Sequence, residues 1–171
     1  MKICSLLPSG TEILFELGLG DSIVGVTDLC DYPEVVKNKR IVSRSKIDVG
    51  ILTSEEVESE MHRILDSGEP LFELDQDLIT QINPDVILTQ DLCYFCEIDA
   101  TVVTKSVSGM SMVPDVLTLN PRTVAEVLET IMDVGRCCDA STAAESLVSQ
   151  LRRRVAFVED RLLPVSNRPR A

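Results

Sequence analysis

Histidine occurs once in these 171 residues, aromatic side chains make up only 4% of them, and 16 lysines and arginines face 28 carboxylates. Each scarcity excludes something. A single histidine, His62, removes Ser-His-Asp catalysis and most acid-base schemes, so the chain does not read as an enzyme. A formal net charge of −12 argues against nucleic acid and anionic membranes, whose binders replace counterions with Lys and Arg. No window approaches the roughly 18 apolar residues that cross a bilayer. The stretch before Pro8 is too short for a secretory hydrophobic region, so no signal peptide is expected. A dinucleotide fingerprint is also lacking, because Gly18-Leu19-Gly20 follows the first helical pattern, whereas phosphate-cradling glycines precede one. There is no phosphate-loop Lys-Ser pair, no repeat array and no low-complexity segment.

What remains is a chain of single-domain length with 44% hydrophobic residues. Its organising stretch is Lys2 to Thr27. Ile3-Cys4-Ser5-Leu6-Leu7 reads as a buried strand stopped by Pro8, and Ser9 with Glu12 forms a capping-box pattern ahead of a helix carrying Ile13, Leu14 and Leu17. Gly18 and Gly20 end that helix, and Ile23-Val24-Gly25-Val26 begins a second strand. Strand, helix and strand predict a β-α-β unit, whose parallel strands bring their trailing turns to one edge of the sheet, where open α/β sheets bind ligands.

The rest of the chain extends this pattern. Pro33 is expected at the first position of a short helix, Arg40 to Ser43 as a third strand, and Ser43-Arg44 at the turn beyond it. Thr53-Ser54-Glu55-Glu56 is a second capping box, ahead of a helix with Val57, Met61, Ile64 and Leu65 on one side. Leu71–Leu74 reads as an extended segment and Asp75–Ile82 as a short helix. Val86-Ile87-Leu88-Thr89 has the unbroken apolar character of a strand buried on both faces. A helix is expected from Glu97 to Lys105 and a last strand at Val116–Leu119. Asn120-Pro121 should cap a helix that turns Val124, Val127, Leu128 and Ile131 inward. A long helix capped by Asp139 or Ser141 follows, with an apolar stripe through Ala144, Leu147, Leu151, Val155, Val158 and Leu162. Arg152-Arg153-Arg154 reads as its solvated face. Residues 151–171 carry six arginines against two carboxylates, which leaves −16 on residues 1–150.

Six cysteines without a signal peptide point to reduced thiols in a cytoplasm-like compartment, with Cys4 in the core. Cys137 and Cys138 are adjacent on a helix and point in different directions. Cys93-Tyr94-Phe95-Cys96 is half of a zinc site or a redox pair, and equally a loop that packs or lines a ligand. Two strand-end turns echo each other: Asp28-Leu29-Cys30-Asp31-Tyr32 and Gln90-Asp91-Leu92-Cys93-Tyr94-Phe95. Their aromatic area, sulfur and short polar groups suit holding a flat, partly apolar small molecule.

These residues resemble a known family. Ser5-Leu6-Leu7-Pro8-Ser9-Gly10-Thr11-Glu12-Ile13-Leu14, Val24-Gly25-Val26 with Asp31-Tyr32-Pro33, and Asn83-Pro84-Asp85-Val86-Ile87-Leu88-Thr89-Gln90 are similar to the first lobe of the helical-backbone substrate-binding proteins of ABC importers. Gln90-Asp91-Leu92-Cys93 is nearest their cobalamin-binding branch. The resemblance implies a Rossmann-like α/β lobe over residues 1–138, a long backbone helix over 139–163, and a flexible tail over 164–171 where a second lobe would open. It also implies a non-covalently held cobalamin or other corrinoid ligand, contacts from Pro8, Ser9, Asp31, Tyr32, Pro33, Ser43, Arg44, Asp91, Leu92 and Cys93, no metal site, and a permease or a second lobe as partner. Such proteins are commonly periplasmic or exported. Two further readings stay open beside it: a thiol or zinc module centred on Cys93 and Cys96, and a non-catalytic lobe that pairs through its exposed helical stripe.

Overall fold

In a computed structural model of the chain, which describes residues 1–90, 100–110 and 112–162, the elements alternate much as their sequence periods require. The strands are β1 (Ile3–Ser5), β2 (Ile23–Thr27), β3 (Arg40–Ser45), β4 (Phe72–Leu74), β5 (Val86–Thr89) and β6 (Asp115–Thr118). The helices are α1 (Pro8–Glu16), α2 (Ser54–Asp66), α3 (Gln76–Ile82), α4 (Ala100–Val107), α5 (Val124–Cys137) and α6 (Ser141–Leu162). Among the described residues the strands form one sheet in the order β4-β3-β2-β1-β5-β6, parallel throughout except for β4, which runs antiparallel to β3 at one edge. Sheet, flanking helices and long C-terminal helix form the expected α/β lobe.

Alternation along the central strands decides which layer each residue joins. Ile3, Val86 and Leu88 face Leu14 and Leu17 of α1, Leu128, Ile131 and Val134 of α5, and Ala144 and Val148 of α6. Cys4 and Ile87 face the other way, towards Ile79 and Ile82 of α3 and Val103 and Val107 of α4. Both faces of β5 are therefore covered, as its unbroken apolar run implies. Burial in the same layer pushes the Cys4 thiol up to about 12, so it is an inert core residue. A smaller cluster of Ile47, Ile64 and Leu71 holds α2 beside β3.

Several helix starts differ from expectation for identifiable reasons. Pro8 takes the first position of α1, where its missing N–H costs nothing, so Leu7 becomes the cap residue and Ser9 lies inside the helix and makes no capping box. The Thr11 hydroxyl donates instead to the Leu7 carbonyl at 3.2 Å. Pro33 is the cap of a 3₁₀ turn at Glu34–Asn38, outside its first position. Asn120-Pro121 does not cap α5 either. Thr123 does, accepting from the Glu126 N–H at 3.2 Å, while the Glu126 carboxylate takes the Arg122 N–H at 2.6 Å. Starting α5 three residues later leaves Val124 and Val127 exposed and sends Leu128, Ile131 and Val134 inward. Strand β3 is longer than expected because β4 pairs with Ser43, Arg44 and Ser45, and β6 begins one residue early, opposite Val86.

The capping box at α2 forms as its sequence pattern requires. The Glu56 N–H donates to Thr53 Oγ1 at 3.4 Å, and the Thr53 N–H donates to the Glu56 carboxylate at 2.7 Å. The Thr53 N–H and the Thr53 hydroxyl, which also donates to the Glu56 carboxylate at 2.8 Å, hold the Glu56 carboxyl below its usual value of 4.5. A depressed folded-state pKa contributes stability above the unfolded value and loses it as pH falls through the folded one. Thr53→Ala is expected to cost about 1 kcal/mol at pH 7. The difference from wild type should shrink below pH 4, as read from urea midpoints at the two pH values.

Candidate functional site

The chain leaves β1 towards β2 and β3 on one side and returns to β5 and β6 on the other. The reversal puts the C-terminal end of β1 beside that of β5, and such a switch point is where open α/β sheets form a crevice. Backbone bonds tie this edge together: the Leu6 N–H donates to the Leu88 carbonyl at 2.9 Å, the Asp28 N–H to the Ser43 carbonyl at 3.0 Å, and the Leu119 N–H to the Thr89 carbonyl at 2.8 Å.

Side chains fix the turns further. Both carboxylate oxygens of Asp28 accept from the Ser45 N–H at 3.1 Å, joining the end of β2 to the end of β3. Thr11 Oγ1 lies 3.1 Å from Cys30 Sγ, joining α1 to the turn after β2. Burial raises the Cys30 thiol pKa, with the Thr11 and Thr27 hydrogen bonds acting against it, so Cys30 holds the turn as a neutral thiol.

Pro8 is half-buried at the start of α1 and Ser9 is exposed one residue on. Asp31 and Tyr32 are exposed, Tyr32 at 62%, and half-buried Pro33 follows through a cis peptide bond. The turns after β1 and β2 thus bring Pro8, Ser9, Asp31, Tyr32 and Pro33 to one edge. Ser43 and Arg44 do not join them at a turn. Both lie on β3, held there by pairing with β4: Ser43 is 1% exposed with no hydrogen-bond partner for its hydroxyl among the described residues, and Arg44 is exposed opposite Glu73. Asp91, Leu92 and Cys93, with Tyr94, Phe95 and Cys96, lie outside the described residues, as does the 164–171 tail.

The structure adds apolar residues to this edge. Leu29 after β2, Val49 and Ile51 after β3, and Val124 after β6 are all exposed, Ile51 at 80%. Leu29, Val49 and Ile51 carried no sequence signal beyond being apolar residues in a turn, and Val124 reads from its spacing as an inward helix position. A cleft of about 700 Å³ opens between Lys46–Asp48 and α2, walled by Glu55, Glu56 and Glu60. Its two cations are already engaged: Arg63 pairs with Glu60 at 2.6 Å and Lys46 with Glu69 at 3.0 Å. Among the described residues no group of three or more His, Cys, Asp or Glu side chains could hold a metal ion, and no helix is long and apolar enough to cross a membrane.

A mostly parallel lobe with apolar side chains exposed beyond its strand ends has the architecture of the open α/β class. Comparison with known proteins narrows the class. The chain is 26% identical over 166 residues to an uncharacterized ABC transporter substrate-binding lipoprotein, YvrC, of Bacillus subtilis (strain 168), a match covering 96% of this chain and 43% of that protein. It is 42% identical over 45 residues, 26% of this chain and 16% of the relative, to the vitamin B12-binding protein of Vibrio vulnificus (strain YJ016). A possible iron-binding (periplasmic solute-binding) protein from Staphylococcus epidermidis ATCC 12228 superposes with a TM-score of 0.67 at 25% identity, over 98% of this chain and 53% of that one. No protein-family model matches the chain. Its homologues are therefore ABC transporter substrate-binding proteins, of a type that includes vitamin B12 binders. The chain spans about half the length of the relatives it matches along its whole extent.

Proposed function

We propose that this chain is the ligand-binding lobe of an ABC-importer substrate-binding protein and holds a corrinoid such as cobalamin, non-covalently and without chemistry, at the edge where its parallel strands end. The carrying observation is the set of exposed apolar side chains on the loops after β2 and β3 and at the first residue of α5, in a chain matched over 96% of its length by a substrate-binding relative. Tyr32 offers a flat face, Leu29 and Ile51 apolar edges, and Ser9 and Asp31 hydrogen-bonding groups for the polar periphery of such a ligand. Pro8 and Pro33 shape the two loops. Asp91, Leu92 and Cys93 complete the set by the likeness of their turn to the one after β2. Arg44 serves at the margin, and Ser43 only as support beneath it.

In this reading residues 1–138 form the lobe, 139–163 the backbone helix and 164–171 the approach to a second lobe, with a permease as downstream partner. The absence of chemistry in the reading follows from the lone histidine, which is exposed on α2, away from the strand-end turns. The free thiols among the described residues, Cys4, Cys30, Cys137 and Cys138, favour a reducing, cytoplasmic setting, against the lipoprotein name of the Bacillus relative.

Purified protein titrated with cyanocobalamin, followed by the corrin absorption band and by calorimetry, should bind saturably. Tyr32→Ala should weaken binding about tenfold, the equivalent of losing one aromatic contact of about 1.4 kcal/mol. Hemin, a porphyrin in place of a corrin, is the comparison that reads ligand class. No response to cyanocobalamin up to about millimolar concentration would overturn the assignment.

A further inference from the structure

We propose that the opposite edge of the sheet, where the strands begin, carries a second site that takes a small multivalent oxyanion of the phosphate type. A cleft of about 480 Å³ opens there, and its polar lining comes from Lys2 before β1, Asn38 and Lys39 before β3, Arg40 at the first residue of β3, and Gln81 near the end of α3. Every one of these side chains can donate, and no carboxylate lines the cleft. That is unusual in a chain of net charge −12.

Two of the cations have a structural task that leaves them free to do more. Lys2 Nζ donates to the Ile82 carbonyl at 2.9 Å, at the C-terminal end of α3, and Lys39 Nζ donates to the Gly20 carbonyl at 2.7 Å. These bonds hold both ammonium groups in place. A carbonyl accepts one of three N–H donors and neutralises none of the charge, so each ammonium keeps two donors and its full positive charge. The Arg40 guanidinium and the side-chain amides of Asn38 and Gln81 make no hydrogen bond among the described residues. The adjacent carboxylate, Asp85, accepts the Lys2 backbone N–H at 2.6 Å. Three cations and two amides with spare donors around one concavity match the acceptor-rich surface of a phosphate, and Arg40 supplies the planar fork that grips two of its oxygens. The site lies across the sheet from the corrinoid edge and stands independently of that assignment.

The test titrates ¹⁵N-labelled protein with pyrophosphate at ionic strength held constant with chloride. Saturable shifts should be confined to Lys2, Asn38, Lys39, Arg40, Gln81 and their immediate neighbours, and Arg40→Gln, a change at an exposed side chain, should weaken binding about tenfold. Gln81→Ala, a second exposed change, should weaken it less. Cobalamin titrations should be the same in wild type and Arg40→Gln. Sedimentation with phosphatidylglycerol vesicles, if lost in Arg40→Gln, would support the same site with a lipid headgroup as the source of the phosphate. Shifts scattered over the surface, equal shifts with chloride alone, or unchanged affinity in Arg40→Gln would overturn the proposal.

Discussion

Gly135→Ala is expected to lower stability by about 1–3 kcal/mol, although alanine is the better helix former by about 1 kcal/mol. Gly135 lies in α5 at the crossing with α6, and a Cβ there would sit 2.4 Å from the Cβ of Ala144 and 3.3 Å from the Ala140 carbonyl. Both Cβ atoms are rooted directly in backbone, so no rotamer change relieves the contact. The helices must separate by more than 1 Å to reach ordinary carbon-carbon distance. Separation also draws Val148 away from Ile131 and Val134, which share its core cluster. For a chain of this size the melting midpoint should fall by roughly 2–12 °C. Ala144→Gly in the same background should recover part of the loss even though it costs helix propensity by itself. A double-mutant cycle on denaturant midpoints therefore checks the contact, and strict additivity would show that the crossing yields freely.

Leu14→Ala should cost more, about 2–5 kcal/mol, through lost burial together with the cavity left behind. Leu14 is fully buried on the inner face of α1 in the cluster that contains Ile3, Val26 and Leu88 from the sheet and Leu128 and Ile131 from α5. The sheet residues among them cannot move in to fill the space without breaking strand register. The same helix carries Pro8 and Ser9 to the proposed ligand edge and is tied through Thr11 to Cys30. Corrinoid affinity should therefore fall along with the thermal midpoint. Glu12→Ala, on the exposed face of the same helix, should move neither by much, and calorimetry with cobalamin titration reads both quantities.

The strands were the most legible elements, because Val86-Ile87-Leu88-Thr89 and Ile23-Val24-Gly25-Val26 combine branched side chains with unbroken apolar character. Helix starts were less so. Ser9 and Asn120 both carry the chemistry of a cap, yet Leu7 and Thr123 occupy those positions, because the proline in each segment and the carboxylate reach of Glu126 set the start. Pairing across the sheet was invisible in sequence: nothing local to Ser43-Arg44 indicates that β4 would return antiparallel and keep them in a strand. At the candidate site the sequence named Asp31 and Tyr32, whose loop chemistry is local. It missed Leu29 and Ile51, because whether an apolar residue in a turn is covered depends on neighbours distant in the chain, and it turned Val124 inward where the structure exposes it.

Residue order alone therefore determined the alternation of strand and helix, the buried character of both faces of the central strand, and the likeness to importer binding lobes, since each of these is written in spacing and side-chain type over a few consecutive positions. Tertiary structure alone decided which strands lie side by side along the edge that the β-α-β pattern predicts, that Ser43 lies beneath it, and that Lys2, Arg40 and Gln81 meet at the other. Those juxtapositions come from the order in which strands are laid side by side, and that order follows from burying two helical layers at once, a constraint on the whole chain that no short stretch contains.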